Sequence, residues 1–189
     1  MDIDEFWALI EQARGPQADT DPGPEVGPEV GGAVAGRAVA LLARRPVAEI
    51  RAAGLVLDGL LAGSYRAPLW GAAYLLNGGC SDDGFDYFRG WLVVQGREVF
   101  ERVVADPDLL AGLPVVRAAV AAGIDLDCED ALGIAWDAHR EATGAELPLP
   151  GSPVRLPDLD PEWDFHFDDH DELSRRLPRL ARLCSEGTP

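Results

Sequence analysis

The chain has 189 residues, with 33 Asp or Glu against 16 basic residues, and its formal net charge is −17. Every basic residue is an arginine. Nucleic acid and anionic membranes are therefore excluded as expected partners, because both are bound through clusters of basic side chains. A basic protein partner or a metal cation is electrostatically easier.

The length predicts a single domain whose core needs no disulfide or metal. No run approaches the roughly 18 apolar residues that span a bilayer, and the start M-D-I-D-E lacks the basic region of a signal peptide. The cysteines, Cys80, Cys128 and Cys184, are odd in number and widely separated, which indicates reduced thiols. We therefore expect a cytoplasmic protein.

The first third of the chain predicts helices around a Pro/Gly-rich insertion. Asp2 is placed to cap a first helix that ends at Gly15. Residues 16–32, with a tandem G-P-E-V, predict a flexible insertion, although a docking peptide is an alternative. Residues 33–43 predict a short helix, and Pro46 begins another that runs to about Ser64.

The central stretch predicts two helices and a tight corner. Apolar residues from Trp70 recur at helical spacing until Gly78, which suits a left-handed C-terminal position. Ser81 is then placed to cap a second helix, about Asp82–Gln95, with carboxylates in its first turn. Because this second helix is apolar on nearly every side, we expect it to be central and buried.

The remainder also predicts helices. Residues 97–104 have helical spacing, Pro107 and Pro114 allow a short helix at most, and Asp127 is placed to cap a helix ended by Gly144. The Pro-rich residues 147–161 predict an extended strap before the last helix. Residues 163–167 show the one weak strand pattern. We expect an all-α, single-domain multi-helix bundle over residues 1–184, with a disordered tail at 185–189.

Three segments carry a resemblance to a known family. They are D-E-F-W-A-L-I-E-Q-A-R at 4–14, N-G-G-C-S-D-D-G-F-D-Y-F-R-G-W-L-V-V-Q-G-R-E-V-F at 77–100 and W-D-F-H-F-D-D-H-D-E-L-S-R-R-L-P-R-L at 163–180. Together they resemble the bacterial domain-of-unknown-function 4240 family from end to end, apart from the Pro/Gly-rich insertion. That family has no established activity or ligand, so the resemblance implies a domain and no chemistry.

The corner after Gly78 holds the candidate binding residues, namely Cys80, Ser81, Asp82, Asp83, Asp86, Tyr87, Arg89 and Trp91. Asp86 and Arg89 are three residues apart on one helix and can pair. We favour the interpretation that these charges cap and brace the buried helix. The alternative is a ligand or partner pocket, since aromatic rings beside a charge occur in pockets as well as in large cores.

Cys80 is also a candidate nucleophile, because a thiol just before a helix start has a lowered pKa. A cysteine nucleophile normally needs a histidine base, and His139, His166 and His170 are all distant in sequence. We favour a small residue that fills the corner.

A candidate metal site consists of His166, Asp168, Asp169 and His170, which offer imidazole and carboxylate ligands within five residues. Their spacing fits no established ligand motif. We favour an exposed cluster at a helix start, and we expect no cofactor.

These observations favour a cytoplasmic binding or regulatory module that engages a basic protein partner, either as an immunity-type protein that neutralises a toxin or as an accessory protein. The alternative is an accessory enzyme, hydrolytic or metal-assisted, that uses the corner from Cys80 to Arg89. We favour the module because no nucleophile, base and orienting group can be assembled from the sequence.

Overall fold

The computed structural model describes residues 1–15, 28–148 and 155–187. Within those ranges the α-helices are α1 Ile3–Arg14, α2 Pro28–Leu42, α3 Val47–Gly63, α4 Ala67–Leu76, α5 Asp82–Val94, α6 Arg97–Ala105, α7 Pro114–Ala122, α8 Ile134–Thr143, α9 His170–Arg176 and α10 Pro178–Gly187. Short 3₁₀ helices occupy Pro107–Gly112, Glu129–Gly133 and Pro161–Trp163. No described residue forms a strand, so the predicted all-α fold is confirmed.

Helix α5 lies at the centre of the core, as predicted. Phe85, Phe88 and Leu92 are fully buried, and the helix contacts α2, α3, α6 and the 3₁₀ helix Glu129–Gly133. The last contact depends on Gly90, where an added Cβ would lie 2.4 Å from the carbonyl oxygen of Cys128. Glycine is required there because two backbones meet without space for a side chain.

The structure corrects the boundaries of two predicted irregular segments. Helix α2 begins at Pro28, so residues 28–32 of the predicted insertion are helical, while 16–27 lie outside the described residues. Proline is tolerated in the first turn, and Gly31 lets the helix approach Cys128, whose Sγ would lie 3.1 Å from an added Cβ. Helix α10 reaches Gly187, so 185–187 of the predicted tail are also helical.

Other helix boundaries differ as well. The chain after Cys128 forms a 3₁₀ helix before α8 begins, so Asp127 is not the cap that the sequence predicted. Helix α7 was not predicted. The predicted last helix is two helices, because Leu177 precedes a proline and adopts φ −127° and ψ 61°, outside the α region.

The C-terminal segment packs against α4. Leu173, Leu177 and Leu180 are buried, and α10 contacts α4, α7 and the 3₁₀ helix Pro107–Gly112. At Gly71 of α4, an added Cβ would lie 2.9 Å from the ring of Trp163 and 3.1 Å from Leu173. The absence of a side chain at Gly71 therefore brings the Trp163 ring directly onto the helix.

Candidate functional site

A cavity of about 540 Å³ lies between α4 and the C-terminal segment. We call it the groove. Its helical wall consists of Ala67, Trp70 and Tyr74, with Cys80 beside them. Its other wall is formed by Leu159, Asp160, Pro161, Trp163, Asp164, Phe165, His166, Phe167 and Asp168.

Within the second wall, residues 163–168 alternate between aromatic and polar side chains. Trp163, Phe165 and Phe167 are half-buried, whereas the residues between them are exposed. This is the pattern that the sequence offered as a weak strand, and here it occurs without strand pairing. Because of this alternation, the rings face α4 and the carboxylates are exposed to solvent.

The rings of the groove form a continuous series of contacts. Tyr74 meets Phe167 at a centroid distance of 5.7 Å, Phe167 meets Phe165 at 5.6 Å, and Phe165 meets Trp163 at 5.7 Å. The guanidinium of Arg176 lies over Trp163 and Phe165, 4.9 and 5.0 Å from their centroids. The aromatic series therefore already accommodates one cation of the chain itself.

Hydrogen bonds hold the two walls of the groove in place. The Tyr74 hydroxyl donates to Asp168 across the groove. That hydrogen bond, together with burial and the charge of Asp168, raises the pKa of Tyr74. On the helical wall, Trp70 Nε1 donates to the Cys80 carbonyl at 3.1 Å, and its ring stacks on Phe85 at 4.8 Å. Trp70 and Tyr74 are thus fixed in position before any ligand binds.

Cys80 and His166 line the same groove. Burial first, and then the negative charges of Asp125, Asp82 and Asp86, raise the pKa of the Cys80 thiol to about 11. The thiol is therefore protonated at neutral pH, which is the opposite of the lowered pKa expected for a thiol before a helix start.

Arg89 lies in the interior and is 3% exposed. It pairs with Asp86 on its own helix and donates to the carbonyl of Leu61 in α3. Its guanidinium lies 5.2 Å from the Tyr65 centroid and 4.8 Å from that of Phe85. These contacts join α5 to α3, and the bracing role of Arg89 stays a prediction.

Ser81, Asp82 and Asp83 form the start of α5. The Ser81 hydroxyl accepts a hydrogen bond from the amide of Gly84 at 3.1 Å, which makes Ser81 the cap. Both aspartates are exposed in the first turn, where the helix dipole favours negative charge.

The two aromatic candidates lie away from the groove. Glu129 lies beside Tyr87, and its negative charge is the first cause of the raised pKa of that phenol. Trp91 is 3% exposed and packs on Phe88 at 5.4 Å. Of the eight predicted binding residues, Cys80 is the one that lines the groove.

The candidate metal ligands divide between the groove and a helix start. His166 and Asp168 line the groove, whereas Asp169 caps α9 by accepting from the amide of Glu172 at 3.0 Å, and His170 is the first residue of α9. No three His, Cys, Asp or Glu side chains within 1–15, 28–148 and 155–187 are grouped to hold a metal ion. The metal site stays a prediction.

Sequence reasoning missed the aromatic residues of the groove, namely Tyr74, Trp163, Phe165 and Phe167. The available signal was the aromatic-acidic alternation of residues 163–167, which places three rings on one side of an extended chain. Their partner wall on α4 is about 90 residues away, so nothing local indicated the pairing.

The fold and the groove define an all-helical domain with a candidate binding site between a helix and its C-terminal segment. The chain belongs to the family described as "Protein of unknown function (DUF4240)", which matches residues 1–141. The family prediction is confirmed, although the match ends before the C-terminal run 163–180 that also resembled it. Among curated proteins and among solved structures, none matches the chain.

The matched range supplies one wall of the groove and the following residues supply the other. In the part of the chain that the structure describes, no helix is both long enough and apolar enough to cross a bilayer.

Proposed function

We propose that the protein is a binding module whose groove takes a basic segment of a partner protein. One observation carries the proposal: the groove combines aromatic rings with the carboxylates of Asp160, Asp164 and Asp168, and none of the described residues that line it is an arginine.

Both the aromatic rings and the carboxylates of the groove attract cations. A cation within about 6 Å of a ring centroid is drawn to the ring's negative face, and a carboxylate forms its strongest hydrogen bonds with charged donors. Within the part of the chain that the structure describes, the Asp164 carboxylate accepts no hydrogen bond and forms no ion pair, so it is available to a ligand. An acidic or neutral segment would gain neither contact.

The charge of the whole chain supports the same partner. A net charge of −17 steers a basic protein toward this surface and speeds its association, most strongly at low ionic strength. The volume of about 540 Å³ lies within the range of about 300–1,000 Å³ typical of ligand pockets. It therefore suits inserted side chains rather than a whole docked domain.

The test uses a fluorescein-labelled peptide of alternating Arg and Gly, and a matched peptide with Glu in place of Arg. Fluorescence anisotropy should show saturable binding of the Arg peptide to the wild-type protein and none of the Glu peptide. Asp164→Asn should weaken the binding about fivefold or more, because a charge-assisted hydrogen bond is lost.

The matched control is Glu141→Gln, which removes the same charge from an exposed position on α8 outside the groove. It should bind like the wild type. Equal binding by Asp164→Asn and Glu141→Gln would show that the peptide follows net charge alone, and an absence of binding would likewise overturn the proposal.

A further inference from the structure

The chain holds the guanidinium of Arg89 in a particular arrangement. The rings of Tyr65 and Phe85 lie 5.2 and 4.8 Å from it, and the carboxylate of Asp86 pairs with it. The planar guanidinium of Arg89 thus contacts two aromatic rings and pairs with one carboxylate.

Arg176 has the same arrangement beside the groove. Its guanidinium lies over Trp163 and Phe165 at 4.9 and 5.0 Å, and its nitrogen is 2.7 Å from the Glu172 carboxylate. Two arginines of this chain are therefore each held by two rings and one carboxylate.

The groove also contains aromatic rings and a carboxylate, but without a cation of the described residues between them. It offers the rings of Trp70, Tyr74 and Phe167 and the carboxylate of Asp164, and its lining contains no arginine within residues 1–15, 28–148 and 155–187. Building on the proposed function, we propose that the groove is selective for arginine over lysine, so that an arginine side chain of the partner occupies it as the guanidinium groups of Arg89 and Arg176 occupy their own sites.

The preference for arginine follows from the chemistry of the two cations. A guanidinium is planar and weakly hydrated, so it stacks on rings while its edge donates to a carboxylate. An ammonium is a compact and strongly hydrated charge that must shed more water to enter a site with aromatic walls. The groove has aromatic rings on one side and a carboxylate at its other edge. A guanidinium can therefore stack on the rings and donate hydrogen bonds to the carboxylate at the same time.

The experiment compares three labelled peptides that differ at their cationic positions: Arg, Lys, or citrulline, which has the shape of Arg without its charge. The Arg peptide should bind about tenfold more tightly than the Lys peptide, and the citrulline peptide should be the weakest. Equal affinity for Arg and Lys, or tighter binding of Lys, would overturn the selectivity and leave the proposed function standing. Failure of both cationic peptides would overturn the proposed function itself.

Two variants test the aromatic rings and the carboxylate of the groove separately. Phe167→Leu removes a ring but keeps an apolar side chain, and it should bring the Arg and Lys affinities closer together. Asp164→Asn, at an exposed position, should weaken the binding of both peptides, and unchanged affinity for both would contradict the carboxylate contact. An unchanged ratio in a folded Phe167→Leu protein would contradict stacking. Should that variant fail to fold, Tyr74→Leu removes a ring from the helical wall, and Tyr74→Phe, which keeps the ring but loses the hydrogen bond to Asp168, is its control. An Arg/Lys ratio equal in these two variants would count against the inference in the same way.

Discussion

The Asp108 carboxylate accepts a hydrogen bond from the backbone amide of Leu180 at 2.9 Å, although the two residues are 72 positions apart. It also accepts from the amide of Arg179 at 3.0 Å and is itself 8% exposed. Pro178 has no amide hydrogen, and Leu177 before it has no polar side chain. The cap of α10 is therefore supplied by another part of the chain.

Asp108→Ala should lower the free energy of unfolding by about 2 kcal/mol, because the buried amide of Leu180 and the partly buried amide of Arg179 lose their acceptor at a helix start. Asp108→Asn keeps one acceptor oxygen and should cost less. Urea unfolding monitored by circular dichroism measures both. Asp137→Ala, which breaks an exposed pair with Arg140, is the control and should cost at most about 1 kcal/mol. Equal losses in Asp108→Ala and the control would contradict the cap.

Arg89→Ala should cost about 3 kcal/mol, since a buried side chain loses its ring contacts and the Leu61 carbonyl loses its donor. Arg89→Met keeps much of the apolar packing and should cost less. Asp86→Ala should cost less than Arg89→Ala, because the Asp86 side chain is 48% exposed and is partly solvated. Urea midpoints of the single variants and the Arg89/Asp86 double variant give their coupling.

The control for Arg89 is Arg102→Ala, which removes an exposed arginine paired with Glu98. That change should alter stability by at most about 1 kcal/mol. If Arg89→Ala were as stable as Arg102→Ala, the bracing role would be wrong.

Gly71→Ala should destabilise the protein even though alanine is the better helix former. Its Cβ would lie 2.9 Å from the Trp163 ring, so the ring has to move away from α4. The matched change Gly59→Ala in α3 meets nothing within 4 Å and should stabilise by about 0.5–1 kcal/mol. Melting temperature and tryptophan emission measure both, and a rise in melting temperature for both variants would contradict the close packing at Gly71.

Hydrogen bonds from Arg175 and Arg176 lower the pKa of Glu172 from 4.5 to about 2. A carboxyl group whose folded pKa is lowered stabilises the protein above its unfolded pKa, and this contribution disappears as the pH falls through the folded value. Glu172→Gln should therefore be less stable than wild type at pH 7, and the difference should shrink between pH 4.5 and 2. Melting temperatures across that range check this, with Glu141→Gln as the control whose curve stays parallel to wild type.

Cys80 should react slowly with iodoacetamide at pH 7.5, because its thiol has a pKa of about 11. The expected rate is about a hundredfold below that of glutathione, and unfolding in urea should restore ordinary reactivity. Mass spectrometry of the peptide that contains Cys80 resolves it from the other thiols. A rapid reaction whose rate does not change with pH below 8 would show that Cys80 is a thiolate, and it would favour the enzyme alternative.

Sequence reasoning succeeded where the determining contacts are local. Asp2 accepts from the amide of Glu5 at 2.9 Å, Ser81 caps α5, and Gly78 adopts φ +63° just after α4. The pairing of Asp86 with Arg89 is also local, since three residues on one helix bring them together.

The missed features depend on contacts between distant parts of the chain. The start of α10 depends on Asp108, and the position of Trp163 depends on the missing side chain of Gly71. Neither contact can be predicted from the neighbouring sequence, because an aspartate or a glycine occurs in many structural settings. The groove could not be predicted for the same reason: its walls come from residues 67–80 and 159–168.

The walls of the groove differ in how their backbones are held. Successive amides of α4 are bonded within a helix, whereas the opposite wall has isolated bonds such as Phe165 N to the Trp163 carbonyl and Asp169 N to the His166 carbonyl. Local opening of that wall breaks few bonds, so its amides should exchange with deuterium sooner than those of α4. Opening of the C-terminal wall breaks the Tyr74–Asp168 hydrogen bond but few backbone bonds, so this wall can adjust around an inserted side chain while α4 and the rest of the domain stay folded.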